Sequence, residues 1–484
     1  MNCRILFFLI LMSLSSLMSH SHAGAKNPSL THASRMIIYE IQLRDFTGTP
    51  GKALGDGTAA KMMQSVPALK NYGGTPLDYL HHLGIDAILL TPDEAYGTSD
   101  DYRSLIKAAH ERDIEVILAL NGDISYDAVE HRVTDFDADG LSIDTDDSTV
   151  RDLYDRLSAN HPDIYFINRS TTTTDSEGIF ITTNLNEAAA RYAGGQLDNA
   201  SLDPLCDSSS YSAVSYVESY DTEHVAYRAK TDGVQGVKGN DTSSATNRMR
   251  RLGSLAAQML MSPGPHLIRQ FEELGADQIS LNADGTPNQA PKTVVWNNIN
   301  NALYRTLHDT YSSLCGIRRQ YPGLFDGTAS CRASLSSATE RYISLSDNTL
   351  ELHLVVNPAV SGTAVISPAD AVTGSPADLS ASGYRLLASS PDVTPSVTPA
   401  GVSLPGGAFA VYMRERESAI SGITSDAPVG PHFDLIDGVV HPHGHYSSMT
   451  IHTIAGAEIS SGSRLIPGLY LVTLDGITFK IIVR

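Results

Sequence analysis

The chain has 484 residues, of which 42% are hydrophobic, and a formal net charge of −20. That length supports two or three domains with substantial cores. So acidic a surface argues against nucleic acid and anionic lipid as partners, while leaving uncharged polysaccharide open.

The N-terminus reads as a targeting segment. Arg4 precedes an apolar stretch from Ile5 to Met12 that continues through Leu14, Leu17 and Met18, and Ala23-Gly-Ala25 supplies a small-residue cleavage site. Residues 1–25 are therefore expected to be a signal peptide, and the mature protein to be secreted or at the cell surface. No later segment reaches the ~20 apolar residues of a membrane span. Of the four cysteines, Cys3 would leave with the signal, and Cys206, Cys315 and Cys331 would remain. An odd number excludes a complete disulfide framework, although Cys315 and Cys331 could pair. No CxxC or His/Cys spacing marks a metal, so the metal and cofactor expectation is none.

From Met36 to about Phe325, short apolar runs alternate with helix-like stretches, the pattern of βα units. Strands are predicted at Met36–Gln42, Ala87–Leu90, Glu115–Leu120, Gly140–Ile143, Ile164–Ile167, Ile179–Thr182, Ser215–Glu218 and His266–Arg269. Thr98-Ser-Asp-Asp opens one helix as a cap with early acids, and Arg248–Met261 is apolar at helical spacing. Eight such strands predict an α/β (β/α)8 TIM barrel over residues 26–330, with its site at the strands' C-terminal ends. An open doubly wound sheet is the alternative, but the Gly-rich phosphate turn it would ordinarily carry is missing after the first strand. Alternating runs such as Leu350–Val356 and Ala408–Tyr412 predict an antiparallel β-sandwich over 331–415. Residues 416–446 read as a linker, with His441, His443 and His445 as solvated linker histidines. Residues 447–484 read as a small β module, with a hairpin turn at Asp475-Gly476.

Candidate chemistry lies at strand ends. Asp139-Gly-Leu-Ser-Ile-Asp144 and Tyr216-Val-Glu-Ser-Tyr-Asp221 end in carboxylates, whereas Asp163-Ile-Tyr-Phe-Ile-Asn168 ends in an amide. Tyr96, Tyr102, Tyr220 and Trp296 are candidate ligand-stacking aromatics, each also readable as packing. The acids of Asp144-Thr-Asp-Asp147 read either as a cation-attracting cluster or as a helix start.

Ile38–Phe46, Leu77–Pro92, Tyr96–Leu118 and Ser262–Gly275, in this order and spacing, resemble the βα units of glycoside hydrolase family 13, the α-amylase family. That resemblance spans roughly residues 36–415 and implies a protein of carbohydrate metabolism whose partner is an α-glucan or oligosaccharide. It also implies Asp144 as nucleophile and Asp221 as the second acid, with Asn168 at the acid/base position normally held by Glu. Ser142 stands where the family has Arg, and Ala119 and Ile124 stand where it has Asp and His. Tyr96, Tyr220 and Ser142 are the implied substrate contacts. The family's insert after the third strand, which helps build a calcium site, is reduced to Gly122–Asp137, so calcium is not expected. In retaining hydrolysis one carboxylate attacks and a protonated carboxyl ~5 Å away delivers a proton; an amide has none to give. Two readings stay open: a degenerate binder with hydrolysis lost or strongly reduced, or an active hydrolase or transglycosylase with a relocated acid such as Glu218, Asp146 or Glu272. The tail segments Thr450–Ile459, Ile466–Val472 and Phe479–Arg484 resemble the sorting domain of the type IX secretion system, which implies secretion machinery as a partner.

Overall fold

A computed structural model describes residues 32–483 apart from 121–123, 171–177, 208–209, 238–240, 417–431, 437–438, 444–447, 454–455, 467 and 475–476. The expected signal peptide, His445 and the Asp475-Gly476 turn lie outside the described residues. The chain divides into two compact units, one through Arg416 and one from Glu417.

The first unit is built on eight parallel strands: β1 (Ile37–Ile41), β2 (Ala87–Leu90), β3 (Glu115–Ala119), β4 (Gly140–Ile143), β5 (Tyr165–Asn168), β6 (Ile179–Asn184), β7 (Ala213–Tyr216) and β8 (His266–Arg269). They pair in sequence, and β1 pairs with β8 to close the barrel. Side chains of a strand alternate between faces, which here sorts them into two cores. Ile38, Leu89, Ile117, Tyr165, Ile167, Phe180, Tyr216 and Leu267 fill the interior. Ile37, Tyr39, Ile41, Ile88, Leu118, Leu141, Ile143 and Phe166 face the surrounding helices.

Helices α1 (Pro76–Leu83), α2 (Ser99–His110), α3 (Tyr126–Phe136) and α4 (Asp147–Ser158) follow β1 to β4 in turn. Thr75 caps α1 by accepting from the Asp78 N–H, Pro76 supplies the fixed φ of a first helical residue, and Gly84 ends the helix at φ 89°. Thr98 and Asp101 form a reciprocal capping box on α2, as the sequence predicts. Residues 169–178 link β5 to β6. Helices α5 (Asn186–Ala193), α6 (Val225–Thr231), α7 (Ala245–Leu260) and α8 (Ala302–Gln320) complete the layer.

The antiparallel strands β9 (Ser330–Ser334), β10 (Arg341–Ser346), β11 (Leu350–Val356), β13 (Arg385–Ser389) and β16 (Phe409–Glu415) form one sheet. Strands β12 (Thr363–Ile366), β14 (Ser396–Thr398) and β15 (Gly401–Pro405) form a second. Val355, Ala410 and Tyr412 pack against Ile366, Val402 and Leu404 between the sheets. The large sheet's other face, with Ile343, Leu345, Leu352, Leu354 and Val411, merges into the barrel's outer core. Fully buried Arg251 of α7 reinforces this junction by donating to the Tyr192 and Pro358 carbonyls at 2.5 and 3.3 Å.

In the second unit, part of the stretch expected to be a linker forms a hairpin, β17 (His432–Ile436) with β18 (Val439–His443). Alternating apolar residues had too little length there to read as strands. A four-stranded sheet follows, ordered β20 (Glu458–Ile459), β19 (Met449–Thr453), β21 (Gly468–Leu474) and β22 (Ile477–Val483). Val440, Ile451, Leu465, Tyr470 and Val472 are its core.

Two carboxylates, Glu272 and Glu273, lie just after β8 among tyrosines of the helix-facing layer. Glu273 is fully buried and accepts from Tyr39 Oη at 3.0 Å and Tyr79 Oη at 2.5 Å. Burial drives its pKa up to about 7, with the two tyrosine hydrogen bonds opposing. The folded chain therefore holds this proton to higher pH than the unfolded chain, whose carboxyl titrates near ~4.3. Stability from this group is complete below that value and is lost as pH rises toward 7. Relative to Glu273→Gln, the wild type is expected to lose about 2–3 kcal/mol of unfolding free energy between pH 4.5 and 7.5, measured by urea titration. Parallel pH profiles for the two proteins would contradict this assignment.

Candidate active site

A cleft of about 310 Å³ opens at the C-terminal ends of the strands. Its lining includes Glu40 from β1, Tyr96 after β2, Ala119 of β3, Ser142 and Asp144 from β4, Arg169 after β5 and Tyr220 after β7. A TIM barrel carries its sites on this face.

The alternation of β4 brings Ser142 and Asp144 to the interior side. Asp144 is solvent-exposed, and among the described residues no hydrogen bond or ion pair engages it. Ser142 is buried, and its carbonyl accepts from the Leu120 N–H at 2.9 Å. In β5, Tyr165 and Ile167 face the interior, so Phe166 and Asn168 face outward. Asn168 is fully buried; its Nδ2 donates to the Thr145 carbonyl at 3.0 Å, and its Oδ1 accepts from the Ser170 N–H at 3.3 Å. It does not line the cleft. Arg169, the next residue, takes the cleft-facing place at this strand end. Asn168, expected at the acid/base position, is placed outside the cleft lining: strand parity turns its amide toward the Thr145 backbone.

Arg169 is tied down by several groups. Its Nη1 lies 3.2 Å from Glu40 Oε1, its Nη2 donates to Ser219 Oγ at 2.9 Å, and its guanidinium stacks over Tyr220 at 4.9 Å. Asp221 Oδ1 is 3.8 Å from Nη2. Glu40 also accepts from Ser219 Oγ at 3.2 Å and from the Tyr220 N–H at 2.8 Å. Burial opposes charge on Arg169, but Glu40 and then Asp221 outweigh it and raise its pKa. The carboxylate Asp221 is thus beside the cleft, engaged with the arginine, while Tyr220 supplies the lining. Burial, and then the nearby Asp221 carboxylate, push Tyr216 up to about 12.

The proposed relocated acids are all occupied elsewhere. Glu218 is buried and accepts from the Val225 N–H at 2.7 Å beside His224 Nδ1 at 2.6 Å, anchoring α6. Glu272 accepts from Tyr311 Oη at 2.7 Å and the Arg269 N–H at 3.2 Å in the outer layer. Asp146 caps α4 through the Ser148 and Thr149 N–H groups, and the hydroxyls of the same two residues, donating at 2.5 and 2.7 Å, are the main cause that holds its carboxyl well below the usual range. Among the aromatics, Tyr96 and Tyr220 reach the cleft. Tyr102 is buried against the Asp93 backbone, and Trp296 is fully buried, donating to the Phe46 carbonyl at 2.9 Å. Among the described residues no group of His, Cys, Asp and Glu is arranged to hold a metal.

Sequence reasoning missed Glu40, Arg169 and Ser219. Arg169 was one residue past a strand whose four side chains are all buried, so hydrophobicity alone hid which parity faced inward. Chemically, a guanidinium stays protonated at any ordinary pH and cannot serve as a general acid. The cleft therefore offers a free carboxylate, a fixed cation and an aromatic face. Arg169→Met should leave Glu40 buried without its partner and destabilise the first unit by about 2–4 kcal/mol, whereas adding Glu40→Met should recover most of that. Chemical denaturation of the two single variants and the double variant measures this coupling; additive losses would contradict it.

No family model matches the chain. A stretch of 103 residues is 34% identical to trehalose-6-phosphate hydrolase of Escherichia coli, covering 17% of this chain and 16% of that protein. Another of 153 residues is 28% identical to alpha-amylase MalA of Haloarcula japonica, covering 28% and 20%. These stretches span about a fifth or less of the curated relatives. Among solved structures, the chain resembles an Anoxybacillus alpha-amylase (TM-score 0.54, 13% identity, covering 82% of this chain and all of that one). It is also similar to an Anoxybacillus pullulanase (TM-score 0.58, 14% identity, covering 80% and 70%) and to a Geobacillus thermoleovorans alpha-amylase solved with acarbose (0.54, 14%, covering 80% and 99%). The fold is that of the amylases and pullulanases: a closed parallel barrel followed by an antiparallel β-sandwich.

Proposed function

We propose that this chain is a secreted, degenerate α-amylase-family protein that recognises α-glucans and has lost most or all hydrolytic activity. The observation that carries this reading is the cleft-facing Arg169, locked to Glu40, beside an exposed Asp144. Asp144 retains the position of a nucleophile, but the strand end next to it presents a permanent cation where the reaction needs a proton donor. The acids suggested as relocated donors are spent on helix ends and buried tyrosines. Tyr96 and Tyr220 would supply stacking faces for glucose rings, with Asp144 and Ser142 as hydroxyl partners. Residues 447–484 are proposed to direct delivery to the surface; a chain ending before Ser447 should then stay inside the producing cell, and its appearance in the medium would oppose that role.

Affinity electrophoresis in gels containing soluble starch, run beside a reducing-sugar assay, tests the main proposal. Expected are retardation by starch, weakened about 5–10-fold by Tyr220→Ala, and no release of reducing ends. Turnover abolished by Asp144→Asn would contradict it. Asn168→Glu should not install activity, because its carboxylate would face the Thr145 carbonyl inside a dry layer. That variant should instead lose about 3 kcal/mol of stability by denaturant titration; a gain of hydrolysis would place residue 168 in the cleft after all.

A further inference from the structure

Cys206 and Cys331 are brought together by segments far apart in the sequence. Cys206 ends the short turn Asp203–Cys206 that precedes β7, and Cys331 lies in β9, the first strand of the sandwich. Backbone ties fix the two segments side by side. The Leu202 N–H donates to the Leu335 carbonyl at 3.2 Å, and the Leu335 N–H donates to the Asp203 carboxylate at 2.7 Å. Fully buried Arg341 adds a third, donating to the Ala200 carbonyl at 2.8 Å. Within this frame Cys206 and Cys331 are neighbours, both free thiols and both only half-buried.

Cys315, which from the sequence alone could pair with Cys331, is placed differently. It is fully buried on α8, packed beside Gly84 at the end of α1, and its charged neighbours are Asp86, Arg318, Arg319 and Glu273. Burial pushes its thiol up to about 12. It is chemically quiet and away from the other two.

We propose that Cys206 and Cys331 form a disulfide in the oxidised protein, tying the link before β7 to the first strand of the β-sandwich. The inference is independent of what the cleft binds. The oxidant is a low-molecular-weight disulfide such as oxidised glutathione. Either thiol can enter first, with the other resolving. When Cys331 enters, its thiolate attacks one glutathione sulfur, breaking that disulfide, forming a mixed disulfide and releasing one glutathione thiolate. Cys206 then gives up its proton and attacks the Cys331 sulfur, and the second glutathione leaves as a thiolate. Two protein thiols are oxidised, one glutathione disulfide is reduced, and the two thiol protons pass to solvent or to the departing thiolates. Closing so long a loop restrains the unfolded chain more than the folded one.

The full chain would be equilibrated with oxidised or with reduced glutathione, denatured in N-ethylmaleimide without reductant, and its peptides mapped by mass spectrometry. The oxidised sample should contain a linked peptide joining Cys206 to Cys331, with Cys315 alkylated. Its thermal midpoint should exceed that of the reduced sample by about 3–8 °C, a difference that Cys206→Ser removes. Full alkylation of Cys206 and Cys331 after oxidation, or a link through Cys315, would overturn the proposal. The peptide map on the wild-type chain decides the matter even where a serine variant fails to fold.

Discussion

Side chains along a strand alternate, and in a closed barrel that alternation assigns every residue at a strand end either to the cleft or to the layer under the helices. The candidate site depends on this constraint. On β4 it points Ser142 and Asp144 inward. On β5 it turns Asn168 toward the Thr145 backbone and hands the cleft to Arg169. On β1 it brings Glu40 into the same space, where its carboxylate meets the guanidinium at 3.2 Å. A buried carboxylate and a half-buried guanidinium are each costly alone, and each offsets the other's cost. The pair then orders Ser219 and Tyr220 around itself through the hydrogen bonds that Glu40 accepts. One parity rule thus fixes the electrostatics of the cleft: a cation in the middle, a free carboxylate on one side and an aromatic ring over the cation.

The molecule's other buried acids have structural uses. Glu218 holds the start of α6, and Glu272 and Glu273 sit among Tyr311, Tyr39 and Tyr79 in the helix-facing layer. The raised carboxyls of Glu272 and Glu273 could be mistaken for catalytic tuning, since both structural networks and active sites perturb titration. Position separates the two cases. None of these carboxylates lines the cleft, and each satisfies a backbone or tyrosine donor that would otherwise be buried unpaired.

Much of the architecture was legible because apolar runs of strand length, separated by capped helices, leave few alternatives to a parallel barrel. The capping box at Thr98, the strands Ala87–Leu90, Gly140–Ile143 and His266–Arg269, and the alternating sandwich strands are cases in which local chemistry and tertiary position agree. The failures also have physical reasons. β7 lies at Ala213–Tyr216, two residues earlier than predicted, because Ser219 and Glu218 turn their hydrogen bonds to Thr222 and Val225 instead of a neighbouring strand. In β5, where Tyr165 to Ile167 are apolar on both faces, nothing local marks the inward parity. The site was therefore read one residue early. The carboxylate at 144 was legible, while the ion pair of Glu40 with Arg169 joins residues far apart in the chain and had no local signature. Likewise, the sequence left a pairing of Cys315 with Cys331 open, and only the fold shows that Cys206 is the cysteine beside Cys331.

The central claim is that Arg169, and not Asn168, stands in the cleft beside Asp144. Charged methanethiosulfonate labelling of Arg169→Cys and Asn168→Cys variants, with the wild-type chain as background and with or without maltoheptaose, tests it directly. The account predicts rapid modification at 169 that maltoheptaose slows, and no modification at 168 in the folded protein. Ligand-protected labelling at 168 with an inert 169 would contradict it.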